Sequence, residues 1–350
     1  MAKTSPGGRD GDRPRRARRA RRARVTETSA LADFRLKART FLFEHAPKHS
    51  ALGRIGGCWI SHDGEVCRDA CGQAVPVAVN IRYDLGDGLT AIDGDVAPLL
   101  AVLPSTPVEI CAIAQGLVML PNLAAGFGIP EERQKERSIH AVSDILRVLR
   151  QLDDRGVEQP RSESSRVVGT CRHFAVLACA FLRHRSIPAR CRAGFASYFV
   201  PGSFLDHWVV EYRHPVEPLW VRVDPEILGF EFVAAPDDLA DGEFLTGGEA
   251  WIRCRDGRAD PSTFGVDGYP ENFGIGEVRG NLVRDLAALN KVETLPWDEW
   301  GGMAASYAGK TGPDYDEVMD TIAAACASGD EAAIAALYAS HDLSVPTGHF

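Results

Sequence analysis

The chain has no apolar run of the roughly 18 residues that a membrane-spanning helix needs. Its longest, around Val108 to Pro121, is interrupted by Glu109, Gln115 and Gly116, so no membrane partner is expected. The sequence also lacks a paired C-x2-C knuckle, and its cysteine count is odd: nine, at positions 58, 67, 71, 111, 171, 179, 191, 254 and 326. Such a count, spread along 350 residues, argues against a disulfide scaffold and for reduced thiols. Cys58, Cys67 and Cys71, with His62 between them, supply at most three sulfurs at spacings that do not suit zinc. The acidic positions Asp237, Asp238 and Asp241 lack the ligand spacing of a calcium loop. Neither a metal nor any other cofactor is expected. No apolar core follows the basic N-terminus, as a signal sequence would require, and the expected location is cytoplasmic.

What is present is an ordinary globular balance, 45% hydrophobic and 25% charged, which excludes a fibrous protein. The net charge of −9 conceals an asymmetry. Residues 1–24 hold ten basic side chains against Asp10 and Asp12, so the other 326 residues carry −17. An acidic body argues against a nucleic-acid-binding globular surface. The segment PRRARRARRAR has no apolar face and reads as a disordered tail. Any contact with nucleic acid would go through residues 1–24, by phosphate charge alone.

Along the chain, four regions are expected: a disordered Arg-rich tail (1–27), an N-terminal helix with a Cys/Gly-rich segment (28–84), a main domain (85–302) and a C-terminal helical extension packed on the core (303–350). The first helix is placed at Ala30 to Ala46, stopped by Pro47. Val77 to Tyr83 reads as a strand and Pro107 to Leu120 as an apolar helix stopped by Pro121. A charged segment after Pro130 becomes amphipathic near Ile139, Val142, Ile145, Leu146 and Leu149. From Thr170, a plausible N-cap, the chain turns apolar nearly all round, the pattern of a helix buried on most faces. Pro188 breaks it. Arg190 to Val200, His207 to Tyr212 and Leu219 to Val223 then read as strands, so the fold class is α+β, a buried helix feeding an antiparallel sheet.

That order gives three residues a job. Cys171 falls in the first turn of the buried helix, where unsatisfied N–H groups and the helix dipole favour a thiolate. His207 opens the second strand and Asp224 follows the third. In a meander both side chains can project from one edge toward the helix end. His207 would pair with the thiolate and protonate a leaving group, and Asp224 would hold the imidazole in the required tautomer. Gln115 is a polar side chain on an apolar helix. It can donate to an oxyanion or equally satisfy a core carbonyl. Asn281, Arg284 and Asp285, opposite Leu282, Leu286 and Leu289, read as a buried bracing network.

The blocks GTCRHFAVLACAFLRHRSIPARCRAGF, DHWVVEY and WVRVDPE resemble the signature blocks of the transglutaminase-like superfamily. Three further blocks resemble a bacterial, largely actinobacterial, branch of it: VEICAIAQGLVMLP, GEAWIRCRDGRADPSTFGV and VRGNLVRDLAALNKVETLPWDEWG. The resemblance covers roughly residues 85–345. It implies a papain-like core with extra N- and C-terminal helices and a Cys–His–Asp triad of Cys171, His207 and Asp224. Gln115, His173 and Trp208 become candidates for the oxyanion or the substrate. His173 stands two residues after the cysteine, where this branch usually has Asp, and Thr170 stands where Asn or Asp is usual. That departure bears on substrate preference and pH behaviour. The implied function is acyl transfer or hydrolysis through a thioacyl-enzyme on an amide, ester or thioester. The implied partners are a peptide or small-molecule acyl donor and an amine or water acceptor. Two alternatives stay open: a non-catalytic interaction protein with this fold, and a nucleic-acid-associated protein using the Arg-rich tail.

Overall fold

Pro107 occupies the first turn of helix α1 (Pro107–Gln115), where its missing N–H costs nothing. The computed structural model describes residues 81–340 and 342–349. The expected tail, the helix at 30–46 and the Cys/Gly-rich segment lie outside the described residues. So does most of the expected strand at 77–83, of which residues 81–83 form no strand. Helix α1 ends at Gly116 rather than at Leu120, because Val118–Met119 form a short strand, β1, pairing in parallel with β2 (Val167–Val168). The β-branched residues at this pairing favour an extended chain over a further helical turn. Glu131–Ser138 winds as 3-10 turns. Helix α2 (Val142–Leu152) then buries Val142, Ile145, Leu146 and Leu149 and turns Asp144 to solvent.

Helix α3 (Cys171–His184) follows β2, and every residue from Arg172 to Arg183 is buried. Ser186, in the left-handed region at φ 57°, and Pro188 redirect the chain into the sheet. There β3 (Ala189–Ala196), β4 (Phe204–Arg213) and β5 (Trp220–Val223) form an antiparallel meander. β6 (Phe244–Thr246) extends the β3 side, while β7 (Phe264–Val266) pairs in parallel with the start of β4 and carries β8 (Tyr269–Phe273). The fold is α+β. On one face Cys191, Ala193, Trp208, Val210, Tyr212 and Val223 share a core with α1, α2 and α3. Beyond the other, α4 (Gly247–Arg255), α5 (Ile275–Leu289), α6 (Pro313–Ser328) and α7 (Glu331–Ser340) build a second core around Trp251, Leu282, Leu286 and Ile322.

The sheet meets α5 through charge. Arg192 on β3 binds Asp285 on α5 with two bonds of 2.8 Å each, Nε to Oδ1 and Nη2 to Oδ2. Glu211 on β4 accepts from Arg190 at 2.7 Å, Arg192 at 3.1 Å and Arg222 at 3.0 Å. Asp285 is fully buried, and a buried charge is tolerable only when paired and hydrogen-bonded. Arg284 donates to the Tyr307 hydroxyl at 3.0 Å. We predict that Asp285→Ala, which leaves the buried Arg192 with Glu211 as its one carboxylate partner, lowers unfolding stability by about 3 kcal/mol. Arg255→Ala, which removes a half-exposed partner of Asp320, should cost about 1 kcal/mol or less. Urea titration checks both; equal small losses would contradict the buried pair's structural role.

Candidate active site

The entry to α3 is held by its own third residue. Thr170, at the N-cap, is extended (φ −99°, ψ −178°), and its N–H donates to His173 Nδ1 at 3.1 Å. His173 thus plays the reciprocal part that Glu or Gln plays in a capping box. It is fully buried. Burial, with Arg172 and His140 nearby, holds the imidazole well below its ordinary value, so the ring is neutral. A Cβ at Gly169 would come within 2.6 Å of the His173 ring, so glycine is what lets the chain pass over it. The structure thus places His173 as a helix cap, its Nδ1 turned to the Thr170 N–H.

Two buried arginines hold the helix itself. Arg172 Nε donates to the Glu293 carbonyl at 3.1 Å and its Nη2 to the His140 carbonyl at 2.7 Å. Three turns on, Arg183 bonds the Glu293 carboxylate at 3.1 Å and Thr90 Oγ1 at 2.6 Å. Between cap and anchor, Cys171 opens the helix and is partly exposed. Burial pushes its thiol above the ordinary range, and the hydrogen bond and charge of His207 offset only part of that rise.

His207 stands opposite Gly194 on β3, where a Cβ would collide with the Leu245 carbonyl and the Thr246 backbone. On its other side there is a gap. β7 pairs with β4 only at Phe204 and Leu205, and β5 only from Val210 onward. Asp224 follows the last β5 pair, and Pro225 has no N–H with which to continue the ladder. The Asp224 N–H donates instead to the Pro236 carbonyl at 2.9 Å. This turn brings Asp224 Oδ2 to 2.8 Å from His207 Nε2, both residues being buried. With Nε2 engaged there, Nδ1 is the nitrogen left for the thiol. Burial alone would lower the imidazolium, but the Asp224 carboxylate overrides it and holds His207 well above its ordinary value.

Four residues not expected as site components surround this pair. The Tyr198 hydroxyl donates to Asp224 Oδ2 at 2.5 Å. Glu226 donates its N–H to Asp224 Oδ1 at 2.9 Å; burial pushes its carboxyl up to about 7. Asp206 is also raised by burial, with Arg284, Asn281 and His207 opposing the rise. Both acids act electrostatically on Cys171. Phe199 stands edge-on to His207 at 5.0 Å between ring centroids. Asp206 and Glu226 lie inside the quoted blocks DHWVVEY and WVRVDPE, next to the expected residues, so the signal was there. Tyr198 lies in a strand-end run, SYFV, whose contacts depend wholly on the fold.

The other two candidates are placed elsewhere. Gln115 Nε2 donates to the Glu226 and Leu228 carbonyls at 3.0 and 2.6 Å, so both its donors are spent bracing the loop after Asp224 and none is free for an oxyanion. Trp208 alternates away from His207 on β4 and is fully buried in the α3 core, out of a substrate's reach. Cys179, Cys191 and Glu293 offer ligand atoms within 4.8 Å of one another, but the Arg183 cation already holds Glu293, which disfavours a metal there. The site thus combines a partly exposed thiol at a helix start with an imidazole bound to a buried carboxylate, an arrangement able to hold a thiolate–imidazolium pair.

Because the His207 value is raised in the folded state, its protonated pair with Asp224 stabilises the fold fully below the unfolded value of about 6.5. That contribution fades as pH climbs through the raised value. Urea midpoints measured from pH 5 to 9 should show the loss in the wild type and a flatter profile in Asp224→Asn; parallel profiles would contradict the pairing.

Residues 131–225 match the family model of the transglutaminase-like superfamily. The matched stretch contains α3, β3, β4 and β5, and with them Cys171, His207 and Asp224. The chain carries a transglutaminase-like domain, which supports a cysteine-enzyme kind of function. A solved structure from Cytophaga hutchinsonii, described as a candidate cysteine protease, is 22% identical over 39% of this chain and 43% of its own, with a TM-score of 0.15. A likeness of that extent carries neither fold nor function across. No curated protein matches the chain. Among the described residues no helix is long and apolar enough to cross a membrane.

Proposed function

We propose that this transglutaminase-like domain is a cysteine-dependent acyl-transfer enzyme acting on an amide, ester or thioester of a peptide or small molecule. The observation that carries the reading is the buried 2.8 Å bond between His207 and Asp224, beside a thiol at the start of α3. The Cys171 thiolate attacks the carbonyl carbon, and the electron pair moves to the oxygen. The Cys171 backbone N–H, unpaired in the first turn of the helix, is one donor for that oxyanion. As the tetrahedral species collapses, the bond to the leaving group breaks and His207 supplies its proton. A thioacyl-enzyme is left. An amine or water, deprotonated by His207, then attacks it and releases the thiolate. Asp224 keeps the imidazole oriented and its cation stabilised throughout. A cytoplasmic setting belongs to the same reading, since the thiol must stay reduced.

The test uses an activated aryl ester as acyl donor, followed by intact-mass spectrometry. The wild type should gain one acyl group that maps to Cys171 and is lost faster when a primary amine is added. Cys171→Ala should gain none, and His207→Ala should be acylated about 10²- to 10⁴-fold more slowly. Acylation that persists in Cys171→Ala, or a wild type that never acylates, would overturn the proposal.

A further inference from the structure

Asp224 Oδ2 accepts two hydrogen bonds. One comes from His207 Nε2 at 2.8 Å and the other from the Tyr198 hydroxyl at 2.5 Å. Oδ1 takes the Glu226 N–H at 2.9 Å. The Tyr198 position is not accidental to a loose loop. β3 ends at Ala196, and the next residue, Ser197, is tied down: its N–H donates to the Glu243 carbonyl at 2.9 Å and its hydroxyl to the Gly242 carbonyl at 3.1 Å. Tyr198 leaves that anchor against Phe199, with ring centroids 4.7 Å apart, and stands edge-on to His207 at 6.2 Å.

We propose that Tyr198 is a positioning residue for the acyl-transfer chemistry: by sharing Asp224 Oδ2 with His207, its hydroxyl fixes the carboxylate and weakens the carboxylate's pull on the imidazolium proton. The inference rests on the functional reading above, in which His207 must give that proton up to a leaving group. A carboxylate oxygen that accepts two donors has less charge to offer each. Without the hydroxyl, Oδ2 serves His207 alone, and the imidazolium holds its proton to higher pH. Tyr198 remains a donor over the working range, because burial and the Asp224 charge push its own ionisation well above the ordinary value.

The groups that face His207 limit what else could produce such a shift. They are Cys171 from α3, Asp224 and Glu226 from the turn after β5, Asp206 from β4 itself, with Arg284 of α5 acting on Asp206. Phe199 and Phe244 complete the surround with uncharged rings. Tyr198→Phe removes one hydroxyl and alters none of these charges.

The experiment is an NMR titration of ¹⁵N-histidine-labelled full-length protein carrying Cys171→Ser, with the His207 signal assigned by its loss in His207→Gln. Adding Tyr198→Phe should raise the His207 midpoint by about half a pH unit or more. Replacing Tyr198 by the stronger donor 3-fluorotyrosine should lower it. Phe199→Leu, which changes the packing and leaves the hydroxyl, should not move it. An unchanged or lowered midpoint in Tyr198→Phe overturns the proposal. So does a shift of equal size in Phe199→Leu, which would mean packing alone. If Tyr198→Phe does not fold, the fluorotyrosine protein decides by the sign of its shift. Failure of the wild type to acylate at Cys171 would sink the catalytic reading while leaving this titration readable.

Discussion

A helix buried on every side cannot leave an arginine unpaired, and α3 contains two that are almost wholly enclosed. Arg172 and Arg183 lie three turns apart, and both reach Glu293, one through its backbone carbonyl and the other through its carboxylate. That double clasp ties the helix to the segment after α5. It sets where the helix begins, and Cys171 is its first residue. Each unmet partner would leave a charge stranded at low dielectric, a penalty of several kcal/mol. The apolar surface drives α3 into the core, and the arginines decide the register in which it sits there.

The chemistry of the site follows from the same tension between burial and charge. Burial alone would discharge every group near Cys171: it raises the thiol, Glu226 and Asp206, and lowers the imidazolium. Asp224, on whose carboxylate three donors converge, reverses this for His207 through its charge and its 2.8 Å hydrogen bond. The backbone creates the place for that convergence. Neither β5 nor β7 covers the middle of β4, and Pro225 turns the chain out of the ladder just after Asp224. A gap in hydrogen-bonded pairing would be a defect elsewhere in a sheet; at this point it admits a carboxylate to the edge of an imidazole.

Much of the fold was legible because it is written in local pattern. The apolar run from Cys171, the break at Pro188 and three short β-rich stretches lead to the helix and meander that the structure contains. Gln115, His173 and Trp208 were harder, because what decides their roles is direction, which a string of residues does not contain. A glutamine on an apolar helix is polar whether it faces a site or a loop carbonyl. His173 at the third helical position could have been recognised as a cap, since a nitrogen there can accept the N-cap N–H just as a carboxylate does. The strand β1 within an apparent helix depends on β2, almost 50 residues later, and pairing over that distance leaves no local trace. Tyr198 belongs to the same class: its partner Asp224 is 26 residues away and meets it only across the folded sheet edge.

The central claim is that His207 and Cys171 act as one ionising pair. The direct measurement is the pH dependence of iodoacetamide labelling at the Cys171 peptide, followed by mass spectrometry from pH 5 to 10 in the wild type and in His207→Ala. Loss of the imidazolium removes what pulls the thiol down and leaves the burial that pushes it up. The account therefore predicts a labelling midpoint about one pH unit or more higher in the variant. Superimposable profiles would contradict it, since the thiol and the imidazole would then be neighbours that do not share a proton.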